Sequence, residues 1–361
     1  MNKNIKNIIA MPSSERREVF DSGARCMSVS GELSPKLIEK DFWVCAVLDA
    51  MFNNISPEYE HDELFLFKGG TSLSKCFNKI DRFSEDIDIV VSRQFLGFSG
   101  ESDPLSPDGK FDSKNKQRKA IEALAVACSE YILGDFKRQL EAIFPMANIT
   151  LDDSDMTTLH VEYPSCYSKK DYIRSAVKIE AGAKSAVIPS AHETVEPYIS
   201  RLPDLNLNLT ISGIHSISPE RTFMDKLLIL HGWNKGVLSD LSRLPNPENR
   251  LSRHYYDVAK LWDSELTTDV LLMEDLFTDV REHNVISGFN RKWMETKDVT
   301  LQTLDIRPNS DLIKVLKRDY SLMQSMLFGD VPKFDWILET IDSLDTTIKA
   351  RNKSLLQNTL S

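Results

Sequence analysis

Leu64-Phe65-Leu66-Phe67-Lys68-Gly69-Gly70-Thr71-Ser72, followed by Arg82-Phe83-Ser84-Glu85-Asp86-Ile87-Asp88-Ile89-Val90-Val91, decides how this chain is read. Leu64 to Phe67 is a short apolar run suited to a buried strand, and Gly69-Gly70 lets the backbone turn sharply and approach a ligand closely. Thr71 and Ser72 suit the start of a helix, whose free N–H groups favour an anion. Lys68, Gly69, Gly70, Thr71, Ser72 and Ser84 are therefore the candidate nucleotide-phosphate holders. The second stretch has strand composition. Its alternation puts Ser84, Asp86 and Asp88 on one face and Phe83, Ile87, Ile89 and Val91 on the other. At about 3.3 Å rise per residue, the two carboxylates stand roughly 7 Å apart along a rigid element.

Carboxylates held this way bridge hard cations, and Mg²⁺ typically takes one or two of them together with substrate phosphate oxygens. Such ions clamp the attacking and leaving oxygens of a phosphoryl or nucleotidyl displacement. An Asp-x-Asp also occurs on ordinary surface strands; the preceding Gly-Gly-Thr turn gives this pair its context. The combination is the arrangement of the nucleotidyltransferase fold. No Gly-x-x-x-x-Gly-Lys-Ser/Thr and no Gly-x-Gly-x-x-Gly occurs, so the chain resembles neither a Walker-loop nor a Rossmann protein.

Five blocks narrow the likeness further: Glu39-Lys40-Asp41-Phe42-Trp43-Val44, Lys68-Gly69-Gly70-Thr71-Ser72-Leu73, Arg82 to Asp88, Glu220-Arg221-Thr222-Phe223-Met224-Asp225-Lys226-Leu227, and Ser252-Arg253-His254-Tyr255-Tyr256-Asp257. In order and content they resemble the motifs of the AbiEii/AbiGii toxin family, nucleotidyltransferase-like proteins of bacterial toxin-antitoxin and phage-abortive systems. The resemblance implies an NTP substrate, Mg²⁺ as cofactor and a cognate antitoxin protein as partner. It also implies an acceptor such as a tRNA 3′ end or other RNA.

The third strand of the site is expected at Ser175 to Ala181, where Lys178 and Glu180 share one face and Val177 and Ile179 the other. Glu180 suits a third ligand or proton acceptor, and Lys178 suits a point cation for triphosphate charge; a Lys/Glu pair on a solvent-facing strand is the alternative. The resemblance makes a lysine here functional and favours Lys178. It also calls for an acidic residue on the helix after Ser218, met by Asp225 or Glu220. From the residues alone, Arg221 and Asp225 form an i,i+4 pair. Asp257 pairs with Lys260 or serves the site, and Tyr255 and Tyr256 pack in the core or stack on a base. Lys40 and Asp41 either form surface ion pairs or touch the site.

Composition bounds the rest. The 361 residues carry 44 Lys plus Arg against 54 Asp plus Glu, a net charge of -10 that repels a polyanion, so any nucleic-acid contact is local. Lys114, Lys116, Arg118 and Lys119, or Lys169, Lys170 and Arg174, are the candidates, with a solvated charged face as the alternative. Five scattered cysteines without a Cys-x-x-Cys pair argue for reduced thiols rather than zinc or disulfides. No apolar run approaches the roughly 20 residues of a membrane span, and the N-terminal apolar stretch is too short for a signal peptide. A cytoplasmic protein without a membrane partner is expected.

The expected fold class is α+β, a mixed sheet flanked by helices, with a helical segment at 1–60, a nucleotidyltransferase core at 61–215 and a helical region at 216–361. Ser34-Pro35 and Ser218-Pro219 are helix starts. Lys119 to Phe144 reads as one helix, and strands are expected at 147–151, 158–163 and 205–211. The Gly-, Ser-, Asp- and Pro-rich stretch from Ser92 to Lys116 reads as a disordered loop or a substrate-covering flap.

Overall fold

The structure, a computed structural model, describes every residue except 28–33, 60–62, 169–173, 203–206, 246–249, 265–266, 290–291, 328 and 360–361. It divides into two compact units: residues 1–78 with 83–217, and residues 79–82 with 218–361.

The first unit holds a seven-stranded mixed sheet. Its strands are β1 (Phe65–Lys68), β2 (Asp86–Val91), β3 (Asn148–Leu151), β4 (Thr158–Glu162), β5 (Ala176–Gly182), β6 (Ser190–Val195) and β7 (Ile211–Ile217), in the spatial order β3-β4-β5-β2-β1-β7-β6. β2 pairs antiparallel with β1 and parallel with β5, which puts the strand bearing both aspartates at the centre. Helices α1 (Lys3–Ala10), α2 (Ser13–Met27), α3 (Pro35–Ala50), α4 (Gly69–Lys75), α5 (Lys114–Tyr131) and α6 (Lys137–Ile143) complete it. This is the expected α+β class.

One sheet face is apolar throughout its centre: Phe67, Ile87, Ile89, Val177, Ile179, Leu159 and Val161 are all buried. Helix α3 packs on this face against β2 and β5. Every residue of α3 from Lys36 to Ala50 is buried, charged ones included, so its charges are satisfied internally. Glu39 accepts from the Cys166 N–H at 2.7 Å and from the Ser165 hydroxyl, Lys40 pairs with Glu85, and Asp41 pairs with Lys75 and accepts from the Tyr198 N–H at 2.6 Å. The expectation of surface ion pairs at Lys40 and Asp41 is thus overturned. A helix buried on all sides has no exposed stripe for sequence periodicity to reveal.

Three further expectations change. The stretch 92–113 is folded: Arg93 donates to Asp103 at 2.8 Å and to the Ser185 carbonyl at 3.0 Å, Gln117 donates to the Pro104 carbonyl, and the helix begins already at Lys114 behind the cap Ser113. Polar composition concealed an ordered turn because its partners lie in distant sequence. The long helix after it is interrupted at Ile132–Phe136 by one wide turn before α6. The strand expected at 205–211 begins at Ile211; residues 207–210 join no strand, and 205–206 lie outside the described residues. Both predicted N-caps form, Ser34 accepting from Leu37 and Ser218 from Arg221.

The second unit is helical: α7 (Pro219–Ser239), α8 (Ser252–Asp263), α9 (Thr267–Val270), α10 (Glu274–Ser287), α11 (Ser310–Met323) and α12 (Phe334–Thr359). Tyr255 and Tyr256 are 0% and 1% exposed, which decides for packing over base stacking, and the Tyr256 hydroxyl accepts from the Asp81 N–H at 3.2 Å.

Candidate active site

Strand register assembles the site. Lys68 lies opposite Asp88, Asp88 beside Glu180, and Glu180 opposite Thr158; one step along, Asp86 lies beside Lys178 and Lys178 opposite His160. Partners across a ladder point to the same face, so two polar rows cross the sheet: Lys68–Asp88–Glu180–Thr158 and Asp86–Lys178–His160. Asp86, Asp88, Lys178 and Glu180 are half-buried, while Ile87, Ile89, Val177 and Ile179 between them are sealed. Further along the same face, Leu66, Val90 and Ile217 close it with an apolar cluster joined by Val187. The polar rows thus occupy one open end of an otherwise closed face.

The bend at the end of β1 touches this end. Gly69 has φ +83°, a left-handed conformation that favours glycine, and a Cβ there would stand 2.2 Å from Asp88 Oδ2. Backbone and carboxylate therefore meet only because residue 69 has no side chain. Gly70 follows, half-buried, at the start of α4.

Thr71 and Ser72 do not present their hydroxyls. Both are fully buried; Thr71 donates to the Asp86 carbonyl at 2.5 Å with Ser84 Oγ 2.8 Å from its hydroxyl, and Ser72 donates to the Gly69 carbonyl at 2.9 Å. They staple the bend to the chain entering β2. Ser84 precedes the strand rather than lying on it, since β2 begins at Asp86, and its oxygen is engaged by Thr71. On the far side α4 is anchored by Lys75, 5% exposed, which pairs with Asp41 and lies 3.5 Å from the Tyr198 ring centroid. Burial works against its charge, and the adjacent carboxylate outweighs this, so the ammonium stays above its usual range.

Electrostatics mark the rows as short of positive charge. Burial, then the neighbouring Glu85, Asp88 and Glu180 carboxylates, push Asp86 up to about 6, against which Lys178 works only in part. Lys178 pairs with Glu180 on its own strand; burial lowers its basicity, and Glu180 and Asp86 raise it beyond that loss. Among the described residues no three or more His, Cys, Asp or Glu side chains form a group that could hold a metal ion. The Asp86–Asp88 pair still fits Mg²⁺, which keeps waters and takes substrate phosphate oxygens as its remaining ligands. A carboxylate crowded by like charges, as Asp86 is, suits a site completed by an external cation.

Asp225 and Asp257 belong to the second unit. Asp225 is half-buried on α7 and accepts from Asn284 at 3.2 Å; Glu220, one turn earlier, is also half-buried. Arg221 is 1% exposed and bonds Asp279 at 2.5 Å. Asp257 is wholly buried and accepts two bonds from Arg82, at 2.7 and 2.9 Å, and one from Lys226 at 2.9 Å. Lys260, its expected partner, pairs instead with Asp81 at 2.8 Å. Arg82, Lys226 and Asp257 come from three of the five motif blocks, so part of what the motifs share is a buried charge cluster that builds the helical unit.

Of the expected nucleic-acid cations, Lys116 pairs with Asp112 and Arg118 with Glu122 on α5, which favours the solvated face. Arg174 pairs with Glu162; Lys169 and Lys170 lie outside the described residues. His160, absent from the expected site residues, stands in the second polar row. Its position opposite Lys178 is visible only once β4 and β5 are in register.

The family model "Nucleotidyl transferase AbiEii toxin, Type IV TA system" matches residues 51–340. The chain belongs to the AbiEii nucleotidyl transferase toxin family. It is accordingly a nucleotidyltransferase enzyme of the toxin-antitoxin class. A comparison with curated proteins returned no match. Among solved structures it is similar to MenT4, the nucleotidyltransferase toxin Rv2826c from Mycobacterium tuberculosis H37Rv, at 16% identity over 82% of this chain and 97% of that one, with a TM-score of 0.32. That likeness is too distant to carry an argument about the site. No helix among the described residues is long and apolar enough to cross a membrane.

Proposed function

We propose that this AbiEii-family protein transfers a nucleotide from an NTP to an RNA 3′ hydroxyl, as at a tRNA end, with release of pyrophosphate. The observation that carries it is the junction of the Gly69 bend with Asp88 beside a carboxylate pair pushed short of positive charge. Asp86 and Asp88 hold Mg²⁺, which when bound supplies charge neutralisation and polarises the α-phosphate. The Gly69-Gly70 backbone lets the triphosphate approach, with Lys68 at the end of β1 and Lys178 on β5 offsetting its charge. Thr71, Ser72 and Ser84 act from behind, fixing the bend.

In the reaction the acceptor oxygen bonds the α-phosphorus and the bond to the β-phosphate oxygen breaks. Pyrophosphate leaves with that oxygen. The acceptor's proton passes to Glu180 or to solvent, and Glu180 becomes available when phosphate takes its place at Lys178. The resemblance calls for an acidic residue on α7, a role open to Asp225 or Glu220. Family membership supports a cognate antitoxin as partner and the cytoplasm as the place of action.

Incubation with each α-³²P-labelled NTP, total RNA and total protein tests this: label is expected in RNA, added at 3′ ends. Label in protein alone would replace the RNA acceptor with a protein hydroxyl, and saturable NTP binding with no pyrophosphate release would leave only a binding module.

A further inference from the structure

His160 extends the row that begins at Asp86 and Lys178, and the function above assigns it nothing. Its ring stands on β4 opposite Lys178, where facing Cβ atoms lie roughly 4.5–5.5 Å apart. It is 7% exposed, so it forms a wall beside the lysine stem rather than a solvent-facing group.

The ring does not choose its own orientation. Its Nε2 lies 2.8 Å from Asp152 Oδ2, just past the end of β3. Asp152 is itself fixed by the Ser154 N–H at 2.9 Å and the Ser154 hydroxyl at 2.6 Å, and those bonds with His160 hold its carboxyl below the usual range. A carboxylate that fixes one ring nitrogen sets the tautomer and the plane of the imidazole. Asp152 also adds to the negative field that keeps Lys178 charged.

The lysine needs such a support. Its four-carbon stem is flexible, and in this structure its ammonium pairs with Glu180, leaning along its own strand. A phosphate group must draw it away from Glu180 without letting it swing out of the row. The imidazole on β4 flanks Lys178 on the side away from Asp86.

We propose that His160, oriented by Asp152, is a positioning residue that holds Lys178 over the polar rows for the triphosphate. This rests on the nucleotidyltransfer reading of the site. His160 acts through Lys178 and makes no contact with the reacting atoms.

A double-mutant cycle on the full chain tests it, with calorimetry of the four α,β-methylene NTPs in Mg²⁺ and parallel pyrophosphate-release assays on natural NTPs. His160→Ala is expected to weaken nucleotide binding about tenfold in the wild-type background and less than about twofold in Lys178→Ala, since coupled neighbours are non-additive. Asp152→Asn should reproduce most of the loss. His160→Gln, whose amide can still donate to Asp152, should recover it, and serves if the alanine variant does not fold. Equal losses in both backgrounds, or wild-type affinity in His160→Ala, would overturn the positioning role alone. Absence of nucleotide binding by the wild type would overturn both it and the transferase reading, whereas binding without pyrophosphate release would remove transfer and leave the positioning role to the cycle.

Discussion

Asp86 and Asp257 are two motif aspartates with opposite electrostatic histories. Asp257 is wholly buried, yet Arg82 and Lys226 hold it below the usual carboxylate range despite the cost of burial. Asp86 is only half-buried, and burial with three neighbouring carboxylates pushes it up to about 6. The first carries its counter-charges within the chain and belongs to the architecture. The second meets more negative charge than Lys178 offsets, which under the proposed function a bound cation would balance. A shared motif does not distinguish the two settings; the cations each carboxylate meets do.

The contrast makes its strongest prediction in a matched pair of variants. Asp86→Ala should lower nucleotide transfer by more than about a hundredfold while leaving the melting temperature at or above the wild-type value, because it relieves crowding and removes a ligand. Asp257→Ala should do the reverse, destabilising the protein by about 3–5 kcal/mol in urea unfolding by leaving Arg82 and Lys226 buried without their carboxylate. An inactive but stable Asp257→Ala would dissolve the distinction.

Gly69→Ala sharpens it from the backbone side. With φ at +83° and Asp88 Oδ2 at 2.2 Å from the added carbon, the variant must shift the bend or the carboxylate. Transfer should fall about tenfold to a hundredfold, the scale of a misplacement near 1 Å, read as kcat at saturating NTP. Gly134→Ala, where nothing lies within 4 Å of the added carbon, is the control for general helix effects.

The smallest effect is on pH dependence. An acid whose folded pKa is raised penalises the fold above that pKa, and the penalty fades as pH falls through about 6 towards the usual range near 4. Lowering the pH from 7 to 5 should therefore add a stabilising contribution in the wild type that is missing in Asp86→Asn. Mg²⁺ affinity should weaken over the same interval, as protons compete for the carboxylate. Asp257 runs the other way: its contribution is present above the usual carboxylate range and is lost only as strong acid protonates it.

The centre of the site is legible in the sequence because its logic is local. Asp86 to Ile89 alternates polar and apolar residues, Gly69 and Gly70 announce the bend, and Ser34 and Ser218 announce helix starts. What was not legible depends on partners far along the chain. Asp257 meets Arg82 across 175 positions, and Asp41 meets Lys75 from a helix whose charges suggest a surface and whose every side is buried. The hydroxyls of Thr71 and Ser72 read as ligand groups from composition; burial turns them into staples. His160 needed strand register, which no alternation within one strand supplies.

The central claim is geometric and is tested most directly by a crystal structure of the full chain with Mg²⁺ and an α,β-methylene NTP. The account predicts an ion about 2.0–2.1 Å from carboxylate oxygens of both Asp86 and Asp88, with triphosphate oxygens completing its shell beside Gly69. A nucleotide bound away from the Gly69 bend, or an ion that bypasses both aspartates, would contradict it.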